Sequence, residues 1–456
     1  MSDGSEARMR GRWWLPGKKA RRLGGELTHT ASEGITLTVD GSFPPPPRQP
    51  PRITAPHDYD VILGVTDSGR EVTLLRVIES SSRSTQQGRT SQTLVSDRGL
   101  LGRHVERLND VRFRSVELRF AHLSRWAREV TAIERANGFR WRSALAAQTP
   151  RVVTPGATIH LSLRSEGTSS TREETLREII ALAYQPESPI DLKELEDRVW
   201  RPFQDLMTFV ALESSPLVGL RVCLAEEKPT ALIDPWCEML VSGHTVGIGD
   251  EKPRRHGGFL FGLSQYPGGF QKLVPAWLSL FAEFTMPVSL FLASDYAPFT
   301  YVERRFAEAV QAVEGYHRTT QRSVVPQEHK DLIDRILAAV APGDRKWLGQ
   351  KLQNSHEPSL LERLNDLIVE AGRPFKPILA AWPDLAQAVR DTRNAQTHVV
   401  ERKDKRITDP ARLADAIDIV RWMLRACFLR RLGLDAETAD GLIDGNLEFQ
   451  WVRRRA

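Results

Sequence analysis

Cysteine is scarce in this sequence, with three residues among 456. Cys223, Cys237 and Cys427 do not form the close pairs that a structural zinc site needs. Their odd number and low density also argue against a scaffold of disulfides, which belong to oxidising compartments. We therefore expect a protein of the reducing cytoplasm that has neither a structural metal nor another cofactor.

Long apolar runs are also lacking. A membrane-spanning helix needs ~20 consecutive apolar residues, and the nearest candidate, Leu273–Ala293, is interrupted by Glu283 and Pro287. The N-terminus carries basic residues but no apolar core of the kind found in signal peptides. We expect no membrane partner and a cytoplasmic location.

Several sequence fingerprints are missing. There is no Walker-type phosphate loop, no Rossmann glycine pattern and no nucleophile elbow, which disfavours the enzyme classes that those motifs mark. The formal net charge is only +5, so bulk charge permits an anionic partner without demanding one. A chain of 456 residues exceeds one ordinary hydrophobic core, and two or three domains are expected.

The N-terminal part is predicted to be rich in β-strands. Residues 1–10 are polar and are predicted to be a disordered tail, and the β-rich region then covers 11–295. Short β-branched or aromatic runs predict strands, whereas helical spacing predicts two inserted helices at Arg172–Tyr184 and Pro189–Thr208. The region is expected to form a sandwich or barrel, with a sub-boundary near 165–190. The predicted strands are Ile35–Val39, Tyr59–Val65, Glu71–Ile78, Arg112–Phe120, Thr158–Leu163 and Leu217–Ala225.

From about residue 300 to 456 the pattern becomes helical. Apolar residues recur every three or four positions, and the connections are short, which favours an antiparallel helical bundle. The expected fold class is therefore α+β multidomain, with a β-rich region followed by an all-α bundle. The five predicted helices are Tyr301–Arg318, Gln327–Ala341, Ser359–Ala371, Asp384–Lys403 and Asp409–Leu432.

The fourth of these helices carries the most informative motif, Arg393-Asn394-Ala-Gln-Thr-His398. Asn394 and His398 are four residues apart and share one helix face. Arg393 lies about 140° around the helix from His398, at roughly 100° per residue. One helix therefore does not bring all three groups to a point, and a second copy related by a two-fold axis is expected to complete the site.

The three residue types suit RNA cleavage without a metal. A phosphodiester next to a 2′-hydroxyl carries its own nucleophile, and histidine can move protons near neutral pH. Arginine offers a rigid fork of donors for the developing negative charge. The asparagine can position the phosphate or the histidine.

Other residues near the motif are candidate substrate contacts. The stretch after the motif is basic, and its side chains are suited to hold flanking phosphates. The candidates are Arg402, Lys403, Lys405, Arg406, Arg390, Glu314 and His317.

The motif in its helical context resembles the HEPN superfamily, over about residues 300–450. The resemblance implies that Arg393 and His398 are the catalytic pair of a metal-independent ribonuclease built from two protomers, with Asn394 in the family's polar position. It also implies products with a 2′,3′-cyclic phosphate and a 5′-hydroxyl.

The N-terminal part resembles the opening of ApeA-type proteins, in which a β-rich region precedes a HEPN domain. The segments that carry this resemblance are Gly11–Pro16, Gly25–Leu27, Ile35–Val39 and Phe113–Leu118, with Leu123 and Trp126 after them. The resemblance implies antiphage defence by abortive infection. A nuclease held silent by the N-terminal region would respond to a phage-derived trigger and cut host RNA, with tRNA as a candidate target.

Two other readings of the sequence stay open. HEPN folds also occur as non-catalytic modules that bind RNA or protein, although the intact Arg393 and His398 pair argues against this. Alternatively, the β-rich region could make the chain a ligand-sensing regulatory protein. RNA cleavage that depends on Arg393 and His398 would indicate a nuclease and exclude both of these interpretations.

Overall fold

The protein is described by a computed structural model that covers residues 6–30, 34–45, 58–84, 90–127, 150–169, 174–225, 235–242, 258–321, 327–353, 355–398 and 405–456. Its contacts divide the chain into two compact units. The first unit comprises Met1–Met207, Ser215–Pro253 and Gly262–Gln271, and the second comprises Thr208–Ser214, Arg254–Phe261 and Lys272–Ala456. The domain limits expected from the sequence, 11–295 and 300–456, stay a prediction.

Six antiparallel strands of the first unit close into a barrel. Around the barrel the order is β1, β2, β3, β6, β5, β4 and back to β1. Its interior includes Trp13, which has no exposed surface. A Cβ atom at Gly64 would lie 2.1 Å from the Trp13 ring, so only glycine fits beside it. The strands are β1 (Glu6–Trp14), β2 (Leu23–Thr30), β3 (Gly34–Asp40), β4 (Asp58–Thr66), β5 (Glu71–Ser84) and β6 (Thr90–Leu101).

Strand β6 joins the barrel to the rest of the sheet. Its first half, from Ser91 to Ser96, pairs with β3, whereas Arg98 to Leu101 pair with β12. From there the sheet continues in the order β12, β11, β7, β10, β9, β8. The β-rich, barrel-like architecture predicted from the sequence is confirmed. These strands are β7 (Phe113–Phe120), β8 (Arg151–Thr154), β9 (Ala157–Ser169), β10 (Glu174–Pro186), β11 (Leu217–Leu224) and β12 (Trp236–Val241).

The helix predicted at Arg172–Tyr184 is wrong, because strand β10 occupies this segment. It pairs with β9 along its whole length and with β7 near its end. All five residues of the run Ile179–Ala183 are buried. A continuous apolar run fits a strand covered on both faces as well as a helix, so periodicity alone could not separate the two. The same hairpin of β9 and β10 runs through the position of the sub-boundary predicted near 165–190.

Residues 6–10 were expected to belong to a disordered tail, but they form the first half of β1. The strand pairs with β2 from Glu6 opposite Thr30 to Trp13 opposite Leu23. Its polar composition hid this strand, because backbone pairing with a neighbouring strand does not depend on apolar side chains.

The second unit is helical, and α12 runs through its centre with an almost continuously buried stretch from Ile419 to Leu429. Helices α6 and α9 pack against α12 and against each other, and α11 packs on both α6 and α9. The helices of the chain are α1 (Leu123–Trp126), α2 (Leu192–Leu195), α3 (Arg201–Ala211), α4 (Gly269–Glu283), α5 (Thr285–Tyr296), α6 (Val302–Thr320), α7 (Gln327–Ala339), α8 (Arg345–Leu352), α9 (Leu360–Ala371), α10 (Lys376–Ala381), α11 (Leu385–His398), α12 (Pro410–Arg431), α13 (Ala436–Asp444) and α14 (Leu447–Arg455).

All five helices predicted after residue 300 are present, as α6, α7, α9, α11 and α12, and residues 399–403 of the fourth prediction lie outside the described residues. Local signals fix several of their ends. Ser359 and Glu362 form a reciprocal capping box at the start of α9, and Asp409 caps α12. Gly433, at a φ of 88°, follows the end of α12 as a left-handed terminator. The short helices α8, α10, α13 and α14 were not predicted.

Within the residues that the structure describes, no single helix is long and apolar enough to cross a membrane. Helices α4 and α5 reach the required length and composition only as a pair, and the pair is bent by 101°.

Candidate active site

The Arg393–His398 motif lies in the last two turns of α11. This helix turns its apolar face into the bundle, where Leu385, Ala388 and Val389 are buried. At the motif the burial decreases, and Arg393 and Asn394 are both half-buried. His398 is the last residue of the helix, and its side chain lies outside the part that the structure describes. The motif therefore sits where a packed helix emerges towards solvent.

Arg393 is held by a carboxylate on a different helix. Its Nη2 lies 3.3 Å from Oε1 of Glu314, which belongs to α6. The side chain of Arg393 is 37% exposed and that of Glu314 is 20% exposed. The Arg393 side chain is thus partly exposed, and one of its guanidinium nitrogens is paired with a carboxylate. Glu314 was predicted as a substrate contact, which stays a prediction, and the structure shows that it pairs with the motif arginine.

The chain that follows the motif is tied back to α11 by Thr392. Its buried hydroxyl donates to the Ala388 carbonyl oxygen at 2.7 Å and accepts from the Ile407 backbone N–H at 2.8 Å. This double role fixes where the chain returns after residues 399–404, which lie outside the described residues. The predicted contacts Arg402 and Lys403 fall in that segment.

Three other predicted contacts of the basic stretch and motif helix are described. Lys405 Nζ lies 3.1 Å from Asp384 Oδ2, and this hydrogen bond lowers the pKa of Asp384 below its usual range. Arg390 donates from Nε to Oδ1 of the buried Asp391 at 2.7 Å. Arg406 is exposed. A phosphate that binds Lys405 would have to compete with Asp384, and one that binds Arg390 would have to compete with Asp391.

Two family models match the chain, one for each half of the expected architecture. Residues 8–277 match ApeA N-terminal domain 1, and residues 307–438 match the Apea-like HEPN domain. The chain belongs to the ApeA family. Comparison with curated proteins found no match, and neither did comparison with solved structures.

Membership of the ApeA family supports a nuclease of the HEPN type with a role in antiphage defence. The HEPN match contains the whole of α11 and the whole of α12, so the complete motif lies inside it. Glu314 lies inside it as well.

His317, another predicted substrate contact in this ApeA-type HEPN domain, has its partners on and next to α9. It is 5% exposed. Its Nδ1 lies 3.2 Å from Nη1 of Arg363, and its Nε2 lies 2.9 Å from Oδ2 of Asp366. Because a guanidinium can only donate, Nδ1 accepts and Nε2 carries the proton that is donated to Asp366. Arg363 also donates to Glu357 at 2.9 Å.

A second polar network, which was not predicted from the sequence, lies beside His317. The hydroxyl of Tyr316 donates to Glu370 at 2.5 Å and accepts from Nε of Arg431 at 3.1 Å. Burial raises the pKa of Tyr316. Residues of both networks line a cleft of about 290 Å³. The spacing of Arg363, Asp366 and Glu370 along one face of α9 is the signal that could have indicated this network.

Within the described residues, no group of three or more histidine, cysteine, aspartate or glutamate side chains is arranged to hold a metal ion. The candidate site comprises Arg393, Asn394, Glu314 and the helix position of His398.

Proposed function

We propose that this protein is a metal-independent endoribonuclease of the HEPN type that acts in antiphage defence. It would cut host RNA, with tRNA as the first candidate, and stop the growth of an infected cell. The observation that carries the proposal is the position of Arg393. It pairs with Glu314 and is 37% exposed, within a helical bundle that matches the Apea-like HEPN domain.

The proposed reaction is an internal transesterification. The 2′-hydroxyl of the substrate attacks the adjacent phosphorus, and the bond from phosphorus to the 5′-oxygen breaks. The products are a 2′,3′-cyclic phosphate and a 5′-hydroxyl end. His398 moves the proton, because its imidazole titrates near neutral pH.

Arg393 stabilises the negative charge that develops on the phosphoryl oxygens. A guanidinium binds such oxygens through parallel N–H donors, and one of its nitrogens is already fixed by Glu314. Asn394 adjoins Arg393 and positions the phosphate. We further propose that two protomers complete the site, since Arg393 and His398 lie about 140° apart around one helix at roughly 100° per residue.

The first half of the chain would then act as a sensor. A nuclease that is toxic when active has to be restrained until infection, and the β-barrel unit is the part available for that role. We propose that a phage-derived component relieves this restraint.

The test is RNA cleavage in excess EDTA, with total RNA and tRNA as substrates. Wild type is compared with Arg393→Ala and His398→Ala. The matched control is Arg304→Ala, because Arg304 also pairs with a glutamate but is not among the candidate site residues. Cleavage that only the first two variants lose, with cyclic-phosphate ends, supports the proposal. A substrate with 2′-deoxyribose at the cut position should resist cleavage.

A restrained enzyme would be silent in that assay, so RNA from phage-infected cells that express the same variants is analysed in parallel. Protection from phage that persists in both motif variants would overturn the assignment of Arg393 and His398. Tight RNA binding without cleavage in either setting would favour the non-catalytic binding module.

A further inference from the structure

Helices α7 and α8 form a hairpin in which no residue is buried. The two helices pack against each other, and a Cβ atom at Gly349 would lie 3.8 Å from Cδ1 of Leu337. Short helices gain most of their stability from packing an amphipathic face against other elements. A two-helix hairpin on its own offers little such packing.

The hairpin nevertheless has an apolar face. Leu332, Ile333, Ile336 and Leu337 recur within an arc of about 140° on α7, at roughly 100° per residue. On α8 the apolar residues are Trp347, Leu348 and Leu352. Trp347 is 61% exposed and Leu332 is 38% exposed, while the others of both sets are half-buried. Within the described part of the chain, no element covers this face.

We propose that the hairpin is a self-association surface, and that a second copy of this chain sets its own hairpin against it. Two hairpins would form an antiparallel four-helix bundle, which buries the apolar faces of all four helices. A two-fold interface requires a patch that is complementary to itself. In this arrangement α7 of one protomer faces α8 of the other, and the same contact occurs twice.

The charges of the two helices favour this pairing. Helix α8 carries only basic charges, whereas α7 carries three carboxylates and two basic groups and is acidic on balance. All of these side chains are exposed. A two-fold axis would therefore bring opposite charges together at both contacts, which favours a second copy of the chain over an unrelated partner. The acidic residues are Glu328, Asp331 and Asp334, and the basic residues are Lys330 and Arg335 on α7 and Arg345, Lys346 and Lys351 on α8.

The inference deepens the proposed function, on which its biological meaning rests, because a composite active site needs a second protomer. The hairpin lies in the chain between α6 and α9, the two helices on which the motif helix packs. Association is measured without RNA, so a failure of the nuclease proposal and a failure of the interface are separate results.

The experiment uses two charge-reversed versions of the full chain. One carries E328K, D331K and D334K on α7, and the other carries K346E and K351E on α8. Size-exclusion chromatography with light scattering gives the mass of each. Wild type is expected to be a dimer, and each variant is expected to dissociate at least about tenfold more readily, because like charges then face each other.

An equimolar mixture of the two variants should restore the dimer, because each basic helix again meets an acidic one. All five substitutions in one chain should restore it as well. The pair K18E and K19E, in the first unit, is the matched control and should remain dimeric. The variant W347A should weaken the dimer without changing any charge, and circular dichroism checks that every variant is folded.

A wild type that is monomeric at all concentrations overturns the proposal. That result is expected if another segment of this chain or a different protein covers the hairpin. A dimer that survives both charge reversals and W347A also overturns it. So does a mixture of the two charge-reversed variants that stays monomeric while wild type is dimeric.

Discussion

Glu314 on α6 and Arg393 on α11 form an ion pair that joins two helices of the bundle, with Oε1 and Nη2 3.3 Å apart. The two residues are far apart in the sequence, and only the packing of α11 on α6 brings them together. Because the pair is partly exposed, its contribution to stability is at most about 1 kcal/mol. Its consequence is positional, since it orients the guanidinium that we propose as a substrate contact.

Replacing Glu314 by glutamine should therefore lower RNA cleavage without unfolding the protein. A displaced guanidinium is expected to reduce kcat by about 10- to 100-fold, while the melting temperature stays close to that of wild type. Steady-state kinetics and thermal denaturation measure the two effects. Glu308, which pairs with Arg304 on the same helix at 2.9 Å, provides the control variant Glu308→Gln. Equal losses in both variants would remove the special role of Glu314.

Arg393→Lys tests whether the fork of the guanidinium matters beyond its charge. A lysine keeps the positive charge but loses the parallel donors that match a phosphoryl group. The loss of one such donor costs roughly 100- to 1,000-fold in kcat, and we expect a loss of this order. Arg304→Lys is the matched control, because Arg304 also pairs with a glutamate, Glu308, and is not among the candidate site residues. Full activity of Arg393→Lys would mean that charge alone suffices.

The sequence predicts those structural elements that are determined by residues close together in the chain. The helices after residue 300 were predicted because capping residues and apolar spacing act within a few residues, as at Ser359 and Asp409. Strand β10 was mistaken for a helix because its state is decided by pairing with β7 and β9. Closure of the barrel likewise depends on the pairing of β3 with β6, which are distant in the sequence.

The same distinction between local and long-range determinants applies to the candidate site. The order of Arg393, Asn394 and His398 along one helix is local, and it indicated the motif. The anchoring of Arg393 by Glu314 and of the returning chain by Thr392 depends on packing between segments. Those contacts join segments that are distant in the sequence, so the pairing of Glu314 with Arg393 could not be predicted from the motif alone.

Lys405 offers a test of RNA binding at the end of the motif helix. If Lys405 leaves Asp384 to bind a phosphate, Lys405→Ala should lower the slope of log affinity against log salt by about one. Asp384→Asn should strengthen binding, because it frees the lysine. Fluorescence anisotropy with labelled tRNA over a salt series measures both changes. If neither variant alters binding, Lys405 is only a partner of Asp384.

The same ion pair gives a pH dependence whose direction is fixed. The pKa of Asp384 is lowered in the folded protein, chiefly by its hydrogen bond to Lys405. The stabilising contribution is therefore complete above the unfolded pKa, roughly 3.9, and is lost as the pH falls through the folded value. In Lys405→Met the pKa of Asp384 should rise towards its ordinary value, which carboxyl NMR titration can measure. An unchanged pKa in that variant would show that Lys405 is not its cause.

Tyr316 is the clearest case of a residue that stabilises the bundle rather than acting on a substrate. It is 2% exposed, and its hydroxyl bridges Glu370 and Arg431. Tyr316→Phe leaves those partners without the hydroxyl and should reduce the free energy of unfolding by about 1–3 kcal/mol. Urea denaturation measures this loss, and Tyr301→Phe at an exposed position is the control.

Since burial raises the pKa of Tyr316, the phenol ionises first in the unfolded chain, at a pH of about 10. Wild type should therefore lose stability above that pH, and Tyr316→Phe should lose less; equal losses in the two proteins would contradict the assignment.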